Sequence, residues 1–212
     1  MKIAIFGATG IVGSAITEMA LAKGHEVTIL TRDAKKVKTA DDRLTVVEGD
    51  VEDRDTVRKV VEGQDAVIQS LGIGGKGDGN PTTFVSEANK LIMEEMKRMK
   101  VNRLIAISVI GAGDSWKFLP WIYRKLMPAM MKWLKAIIDD KDRMESMIEH
   151  CGPDWTIVRC TTVKNIPAKG HVTASLDGKG IKYSITAPDM AEFVVSQLTD
   201  NRFMLRMPVI SN

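Results

Sequence analysis

Short apolar runs alternate with amphipathic segments along most of the chain. The apolar runs predict strands at residues 2–6, 26–30, 44–48, 66–69, 103–107 and 155–159. Apolar residues at helical spacing between them predict helices at 11–23, 54–62, 136–149 and 187–200. One further helix is predicted to be capped by Thr82 or Thr83 and to end near residue 99. Strands that alternate with helices favour a parallel sheet with right-handed crossovers. We therefore expect one doubly wound α/β domain over residues 1–212, with helices on both faces of a parallel sheet.

The C-terminal part of the chain carries a hairpin signal. Apolar runs at 172–176 and 181–185 flank Asp177-Gly178-Lys179-Gly180. Asp-Gly between apolar runs predicts a hairpin, although the further Lys-Gly favours a longer loop. A run at 203–207 predicts one more strand.

Residues 114–135 depart from this alternation. They are rich in rings and thioethers: Trp116, Phe118, Trp121, Tyr123, Met127, Met130, Met131 and Trp133. Such side chains adapt to flat ligands, so we expect a helical insertion on the substrate side. The same composition fits an ordinary packed helical hairpin or a dimer contact, and the sequence leaves these readings open.

A glycine turn joins the first predicted strand to the first predicted helix. Gly7 permits a tight turn, Gly10 lets a diphosphate approach the backbone, and Gly13 lets the helix pack close to the strand. The amides at the helix start carry positive charge that faces an anion. The pattern predicts a Rossmann-like dinucleotide site, and the alternative is a turn that only helps packing.

The end of the second predicted strand indicates which dinucleotide binds. Proteins that prefer NAD usually place an acid there for the ribose hydroxyls, whereas this chain has Thr31-Arg32. A guanidinium forms bidentate bonds with a 2′-phosphate, so Arg32 favours NADP(H) over NAD(H). We expect Lys35 and Lys36 to belong to a solvated basic loop.

Further candidates follow the third and fourth predicted strands. Asp50 can accept a hydrogen bond from the adenine amino group or cap the next helix, a role for which Asp53 and Asp55 also compete. Ser70-Leu71-Gly72 follows the fourth strand, at the carboxyl edge where ligands collect. Lys76 lies in a glycine-rich run at 74–81, where we expect a solvated lysine.

Composition and charge exclude several classes of protein. No apolar run reaches the ~20 residues of a membrane helix, and the predicted N-terminal strand is no signal peptide. The net charge of +3 comes from interspersed charges, so we expect no nucleic-acid partner. Cys151 and Cys160 lack metal-ligand spacing and are expected to be reduced thiols. We expect a cytoplasmic protein with neither a metal nor a membrane partner.

Several motifs make the chain similar to a known family. They are Gly7-Ala8-Thr9-Gly10-Ile11-Val12-Gly13, Thr31-Arg32-Asp33, Gly49-Asp50-Val51, Gly63-Gln64-Asp65-Ala66-Val67-Ile68, Pro81-Thr82-Thr83, Val85-Ser86-Glu87, Ser108, Asp139-Asp140, Arg143-Met144 and Leu176-Asp177-Gly178. The chain resembles the atypical short-chain dehydrogenase/reductases, which are NAD(P)-binding and include NmrA-like proteins. Within them it resembles most the biliverdin-IX-beta reductase/flavin reductase group, over nearly its whole length.

The resemblance implies a Rossmann-like fold, NADPH as cofactor, and reduction of a flavin or a linear tetrapyrrole. Lys141 lies where related proteins place a lysine or histidine near the nicotinamide. Together, motifs and resemblance assign the cofactor to Gly7, Thr9, Gly10, Ile11, Val12, Gly13, Arg32, Asp50, Val51, Ser70, Leu71, Gly72, Ser108 and Lys141. Ser108 and Lys141 are also the catalytic candidates.

The chain departs from the family pattern in two places. No Tyr-x-x-x-Lys pair is present, since the fourth residue after Tyr123 is Met127. The proline and histidine that the reductase group carries after the sixth strand are replaced by Cys160-Thr161-Thr162-Val163. The first departure makes carbonyl reduction less attractive, and the second puts a tetrapyrrole substrate in doubt.

Hydride transfer to a flavin needs mainly placement and exclusion of water. We therefore predict a reductase of a flavin, quinone or similar planar acceptor, in which Ser108 orients the nicotinamide or substrate and Lys141 steadies the ribose or donates a hydrogen bond. The alternative for Ser108 is a hydroxyl at the strand end that bonds its own backbone. The alternative for Lys141 is a lysine on the surface of its helix.

The competing function is a non-catalytic NADP(H) sensor of NmrA-like type. An epimerase is a third reading, for which the chain is short. We expect a monomer or a weak homodimer.

Overall fold

The computed structural model describes residues 1–72, 80–119, 121–122, 124–125, 132–151 and 153–212. The strands are β1 (Lys2–Phe6), β2 (Glu26–Thr31), β3 (Leu44–Glu48), β4 (Ala66–Gln69), β5 (Arg103–Val109), β6 (Asp154–Cys160), β7 (Thr162–Lys164), β8 (Thr173–Ser175), β9 (Ser184–Thr186) and β10 (Val209–Ser211). The α-helices are α1 (Ile11–Ala22), α2 (Arg54–Val61), α3 (Phe84–Met99), α4 (Lys132–Cys151) and α5 (Ala187–Ser196). Lys76 with the rest of residues 73–79, Tyr123, Met127, Met130 and Met131 lie outside the described residues.

The main sheet has the strand order β3-β2-β1-β4-β5-β6-β10-β8. Every neighbouring pair is parallel except β10 and β8, which are antiparallel. The order reverses between β1 and β4, and the carboxyl ends of the strands at such a switch point open a crevice for ligands. The predicted doubly wound parallel α/β fold is confirmed.

Helices cover both faces of the sheet because its central strands are apolar on both sides. Ile105 and Ile107 of β5 belong to the core under α1 and α5, whereas Leu104 and Ala106 belong to the core under α2, α3 and α4. Successive side chains of a strand point to opposite faces, so one strand supplies both cores.

The predicted C-terminal hairpin is wrong. β8 pairs with β10, and β9 forms a separate parallel pair with β7. The Asp-Gly signal is satisfied locally instead, because the Asp177 carboxylate accepts hydrogen bonds from the Lys179 amide (3.1 Å) and the Ser175 hydroxyl (2.9 Å). A turn that closes on itself in this way leaves the flanking strands to distant partners.

The predicted strand at 203–207 is also wrong. A 3-10 helix occupies Asn201–Phe203, begun by the Asp200 carboxylate, which accepts from the Arg202 amide at 3.0 Å. Leu205 then has a φ of 55°, which is incompatible with an extended chain. The strand forms after Pro208, at β10.

Helix bounds differ from the predictions where side chains bond the backbone. α5 ends at Ser196 rather than at residue 200, since the Ser196 hydroxyl bonds the Phe193 carbonyl at 2.7 Å and the chain turns. α4 begins at Lys132, within the predicted insertion, whose described beginning is a 3-10 helix at Gly113–Phe118. No helix among the described residues combines the length and the hydropathy of a membrane span.

Candidate functional site

A cavity of about 670 Å³ lies at the carboxyl ends of β1 to β4. Its walls include the turn between β1 and α1, the ends of β2, β3 and β4, and the start of α3. The predicted residues that line it are Gly7, Thr9, Gly10, Ile11, Val12, Gly13, Arg32, Asp50, Val51, Ser70, Leu71 and Gly72. Ser108 and Lys141 are not among its lining residues. We call this space the switch-point cavity.

The three glycines of the first turn are required for different reasons. A Cβ on Gly7 would stand 2.5 Å from the Ser70 carbonyl oxygen, and one on Gly13 would stand 2.1 Å from the Gly7 oxygen. Both positions therefore exclude a side chain on packing grounds alone, and Gly7 also has a φ of 83°. A Cβ on Gly10 would meet only the Gly7 oxygen, at an ordinary 3.6 Å. Packing therefore does not require a glycine at position 10, but a glycine there keeps the space of the cavity free of a side chain.

The start of α1 is open to an anion. Gly10 is its N-cap and offers no side-chain hydrogen bond, and the first turn carries no acidic residue. The first amides of a helix have no partner within it, and their partial positive charge attracts phosphate. This end of the cavity thus fits the diphosphate of a dinucleotide.

The end of β2 places two cations at the cavity. Arg32 is exposed and forms no hydrogen bond or ion pair with any residue that the structure describes, so its guanidinium is available to a ligand. Lys36, which the sequence assigned to a solvated loop, also lines the cavity and stands 4.0 Å from the Asp33 carboxylate. A 3-10 helix at Ala34–Lys36 brings it back, and the Asp33 carboxylate caps that helix by accepting from the Lys35 amide at 3.0 Å.

Asp50, which follows β3, is not the N-cap of the next helix. The N-cap of α2 is Asp53, whose carboxylate accepts from the Asp55 amide at 3.1 Å. Among the described residues, the Asp50 carboxylate accepts from the Glu52 amide alone, at 3.0 Å, and Asp50 lines the cavity. The capping role considered for Asp50 therefore falls to Asp53, and the Asp50 carboxylate remains beside the ligand space.

Lys141 is buried rather than on the helix surface, so the surface-lysine alternative is wrong. Its side chain is 4% exposed, and its Nζ donates to the carbonyl oxygens of Leu71 (2.9 Å) and Ile107 (2.6 Å). Burial lowers the pKa of the Lys141 ammonium from 10.5 to about 8, against the opposing attraction of Cys160, Asp140 and Glu145. Lys141 thus reaches the switch-point cavity through the backbone of Leu71.

Ser108 is fully buried at the end of β5. Its Oγ has no hydrogen-bond partner among the described residues, so it does not bond its own backbone as the alternative required. A buried hydroxyl without a partner costs free energy, which marks this position for a ligand or an ordered water. The expected contact of Ser108 with the nicotinamide stays a prediction.

A second cavity, of about 490 Å³, lies beyond the ends of β5 and β6. We call it the apolar cavity, because most of its walls are aliphatic or aromatic: Val109, Ile110, Phe118, Leu119, Leu134, Ile138, Cys160, Thr161, Thr162, Gly178, Ile181, Lys182 and Tyr183. Burial raises the pKa of the Cys160 thiol from 9.0 to about 11, so the thiol is neutral at pH 7. Phe118 and Leu119 bring part of the 114–135 segment to this wall.

The two cavities adjoin along β7. Thr162 lines the apolar cavity, whereas Val163, the next residue, lines the switch-point cavity. Alternate residues of a strand face opposite ways, so β7 forms a shared wall.

Sequence reasoning missed several lining residues, namely Phe6, Leu30, Thr31, Lys36, Gly49, Phe84 and Val163. Phe6, Leu30 and Thr31 end predicted strands, and the rule that ligands gather at carboxyl ends would have found them. Phe84 and Val163 come from distant parts of the chain and carry no local signal.

The profile of the NAD(P)H-binding family matches residues 7–201. The chain is 34% identical over 114 residues to the uncharacterized protein YwnB of Bacillus subtilis, a match that covers 54% of this chain and 49% of YwnB. It is 27% identical over 205 residues to the uncharacterized chloroplastic protein At2g34460 of Arabidopsis thaliana, covering 93% of this chain and 71% of that protein. The chain thus spans about half the length of YwnB.

Solved structures of similar architecture superpose along the whole chain. The oxidoreductase ylbE of Lactococcus lactis gives a TM-score of 0.82 at 20% identity, covering 100% of this chain and 91% of its own. A short-chain dehydrogenase/reductase of Veillonella parvula in complex with NADP gives 0.79 at 17%, covering 100% and 94%. ChuY, an anaerobilin reductase of Escherichia coli O157:H7, gives 0.78 at 19%, covering 100% and 97%. At these identities the likeness shows the fold alone.

Proposed function

We propose that this chain, which belongs to the NAD(P)H-binding family, is a reductase that uses NADPH to reduce a flavin or a similar planar acceptor, such as a quinone or linear tetrapyrrole. The observation that supports this most directly is the pair of adjoining cavities. The switch-point cavity is polar at its phosphate end and fits a dinucleotide, and the apolar cavity shares a wall with it.

The residues around the switch-point cavity fit NADPH in particular. The uncapped start of α1 would hold the diphosphate, with Gly10 leaving room for it. Arg32 would hold the 2′-phosphate, assisted by Lys36. The Asp50 carboxylate would accept a hydrogen bond from the adenine amino group. The NADP complex of the Veillonella parvula relative is consistent with this choice of dinucleotide.

The apolar cavity would hold the acceptor. Its walls are mainly apolar, its volume suits a ring system, and its threonine hydroxyls can orient polar edges of such a ring. Cys160, Thr161 and Thr162 line it at the place where the biliverdin-IX-beta reductase/flavin reductase group carries proline and histidine. We therefore infer that a flavin or a quinone fits this wall better than a linear tetrapyrrole does.

The bound cofactor supplies the hydride, and the chain supplies placement and a dry site. Hydride transfer needs the nicotinamide and the acceptor in contact, so the two ligands would meet past the edge of β7, with Val163 on the coenzyme side and Thr162 on the acceptor side. Ser108 lines neither cavity, so to orient the nicotinamide or the acceptor its hydroxyl, unpaired among the described residues, would act on a group that reaches the buried end of β5. ChuY, an anaerobilin reductase, has a similar fold, which is consistent with a reductase.

The test is oxidation of NADPH, against NADH, by the purified protein with FMN, riboflavin, a quinone or biliverdin, followed by the loss of nicotinamide absorbance. Turnover with a preference for NADPH supports the proposal. Turnover with equal use of both dinucleotides would contradict the role of Arg32. Binding of NADPH without turnover on any acceptor would contradict the reductase.

One observation favours a second function, a non-catalytic NADP(H) sensor. Neither Ser108 nor Lys141 lines the switch-point cavity, so the expected catalytic pair lies behind its wall. A sensor of NmrA-like type needs only this binding site. Calorimetric titration that shows strong selectivity between NADP⁺ and NADPH, together with no turnover, would favour it.

We further propose that the protein works in the cytoplasm as a monomer or weak homodimer. The buried free thiol of Cys160 suits a reducing compartment. Sedimentation at several protein concentrations measures the state of assembly.

A further inference from the structure

Two neighbouring residues of α4 reach two different walls of the switch-point cavity. Lys141 bonds the Leu71 carbonyl at the end of β4, and Asp140 bonds the start of α3. Leu71 and Phe84, the first residue of α3, both line the cavity. Neither Asp140 nor Lys141 lines it.

Asp140 caps a helix to which it does not belong. Its carboxylate accepts from the Val85 amide (2.9 Å), the Ser86 amide (3.2 Å) and the Ser86 hydroxyl (2.6 Å). Thr83, the N-cap residue of α3, makes no side-chain cap bond of its own. The start of α3 is therefore fixed by α4.

Asp140, Lys141 and Arg143 form a cluster of charged side chains, and burying its charges costs free energy that packing alone does not explain. Asp140 is 1% exposed and Lys141 is 4% exposed, and charges are buried only where they are paired and hydrogen-bonded. Their charges attract each other, while their hydrogen bonds point to α3 in one case and to β4 and β5 in the other. Arg143 completes the group with a close bond to the Thr82 carbonyl and a 3.5 Å ion pair with Asp140.

We propose that Asp140 and Lys141 are positioning residues, which set the distance between Leu71 and the start of α3 and so the width of the cavity where the nicotinamide half of the dinucleotide binds. This inference rests on the proposed use of NADPH. Lys141 acts through the Leu71 backbone, and Asp140 acts through Val85 and Ser86, which follow Phe84 at the start of α3. Neither Lys141 nor Asp140 touches the ligand. The cluster leaves the adenosine end, at Arg32 and Asp50, unaffected.

α4 also carries its own controls. Lys135 and Asp139 lie on the same helix as an exposed pair 2.5 Å apart, and neither lines the switch-point cavity. Lys135→Met and Asp139→Asn thus repeat the two changes in chemistry, Lys141→Met and Asp140→Asn, without reaching the cavity. Ser86→Ala is a milder third variant, because it removes one hydrogen bond to Asp140.

The experiment measures dissociation constants by calorimetry for two ligands, NADPH and adenosine 2′,5′-bisphosphate, together with the melting temperature of each variant. We expect Lys141→Met and Asp140→Asn to weaken NADPH about tenfold or more, and Ser86→Ala about threefold, since charge-assisted bonds to the cavity wall are lost. Adenosine 2′,5′-bisphosphate, which carries only the adenosine end, should change less than about twofold. The two control variants should bind both ligands as the wild-type protein does.

Kinetics with FMN adds a second readout. We expect the KM for NADPH to rise while kcat at saturating NADPH stays within about threefold, because placement is lost and the reacting groups are intact. Equal weakening of both ligands, or unchanged NADPH binding in folded variants, would overturn the positioning role and leave the proposed function standing. A fall in kcat with unchanged NADPH binding would assign Lys141 a direct catalytic role instead. If Lys141→Met does not fold, Asp140→Asn and Ser86→Ala decide the same question. A wild-type protein that binds no NADPH would overturn both proposals.

Discussion

At the scale of single residues, the candidate cofactor site holds a cation that no described residue of the fold engages. Arg32 is exposed at the cavity, without a hydrogen bond or ion pair among the described residues, whereas Arg54 and Arg159 are held by carboxylates. A guanidinium that the fold does not use for its own stability is available for an anionic ligand.

Replacing Arg32 with alanine should therefore weaken NADPH selectively. We expect the dissociation constant for NADPH to rise about ten- to a hundredfold and that for NADH by less than threefold, since one charge-assisted bond is lost. Fluorescence titration of the bound nicotinamide measures both. Lys35→Ala is the matched control, because Lys35 neighbours the site in sequence but does not line the cavity. Equal weakening of both dinucleotides would refute the assignment of the 2′-phosphate to Arg32.

The position of a residue at the cavity could be predicted from sequence where the signal is local, and it stayed open where the partners are distant. The glycine turn and Arg32 were predictable because strand, turn and helix start are consecutive in sequence. The burial of Lys141 was not, since its acceptors Leu71 and Ile107 lie 70 and 34 residues away. A helix lysine beside Asp140 has the same local pattern whether it is solvated or buried.

At the scale of elements, α1 combines a packing role and a binding role in one glycine pattern. Gly13 must lack a side chain for the helix to approach β1, and Gly10 need not. The two roles can be separated by the same substitution at two positions.

Gly10→Ala should leave the fold intact and impair binding. The added methyl group meets no backbone atom closer than 3.6 Å, so we expect the melting temperature to stay within about 2 °C of the wild type. The methyl group narrows the cavity where the diphosphate would bind, so we expect NADPH to bind at least tenfold more weakly. Gly13→Ala should instead unfold at a markedly lower temperature, because its methyl group would overlap the Gly7 oxygen. Thermal melts and calorimetric titrations compare the two. Normal NADPH binding by a folded Gly10→Ala protein would argue against the diphosphate position.

β7 is the other element with two roles, and its substitution tests the apolar cavity. Thr162 is exposed and lines that cavity, so Thr162→Trp should fill it, abolish at least nine-tenths of flavin reduction, and leave NADPH binding within about twofold. Lys164→Trp on the same strand is the control, since Lys164 lines neither cavity. Steady-state kinetics with FMN and titration with NADPH measure the two effects. Full activity of Thr162→Trp would place the acceptor elsewhere.

Element-level prediction reached its limit at partner choice. The strands near 172–176 and 181–185 were located from their apolar runs, but their assignment to one hairpin was wrong, because β8 pairs with β10 and β9 with β7. Apolar alternation defines where a chain is extended and not which edge it joins. Pairing is settled by packing across the whole sheet.

At the scale of the whole molecule, the buried charges near α4 make stability depend on pH. Lys141 has its pKa lowered in the folded state, from 10.5 to about 8, so the unfolded chain binds more protons between these values. Stability therefore rises with pH across that window, as the ammonium that is costly to bury becomes neutral. Cys160 acts in the opposite sense between 9.0 and about 11, because its pKa is raised on folding.

Urea unfolding of the wild-type and Lys141→Met proteins at pH 7 and pH 10 isolates the lysine, since Cys160 is common to both. The lowering of the Lys141 pKa from 10.5 to about 8 corresponds to about 3 kcal/mol. Between pH 7 and pH 10 we therefore expect the free energy of unfolding of the wild type to rise, relative to that of Lys141→Met, by up to that amount. The exposed Lys135→Met variant should show no such change. A difference that is constant with pH would mean that Lys141 keeps its ordinary pKa when folded.

The strand β7 contributes residues to both of the cavities that we assign to coenzyme and acceptor. Val163 belongs to one compartment and Thr162 to the other. Under the proposed function, substitutions at Thr162 should change which acceptors are reduced without altering the cavity assigned to the coenzyme. Libraries randomised at residue 162 with residue 163 held constant offer a direct route to redesigned acceptor preference on an unchanged source of electrons.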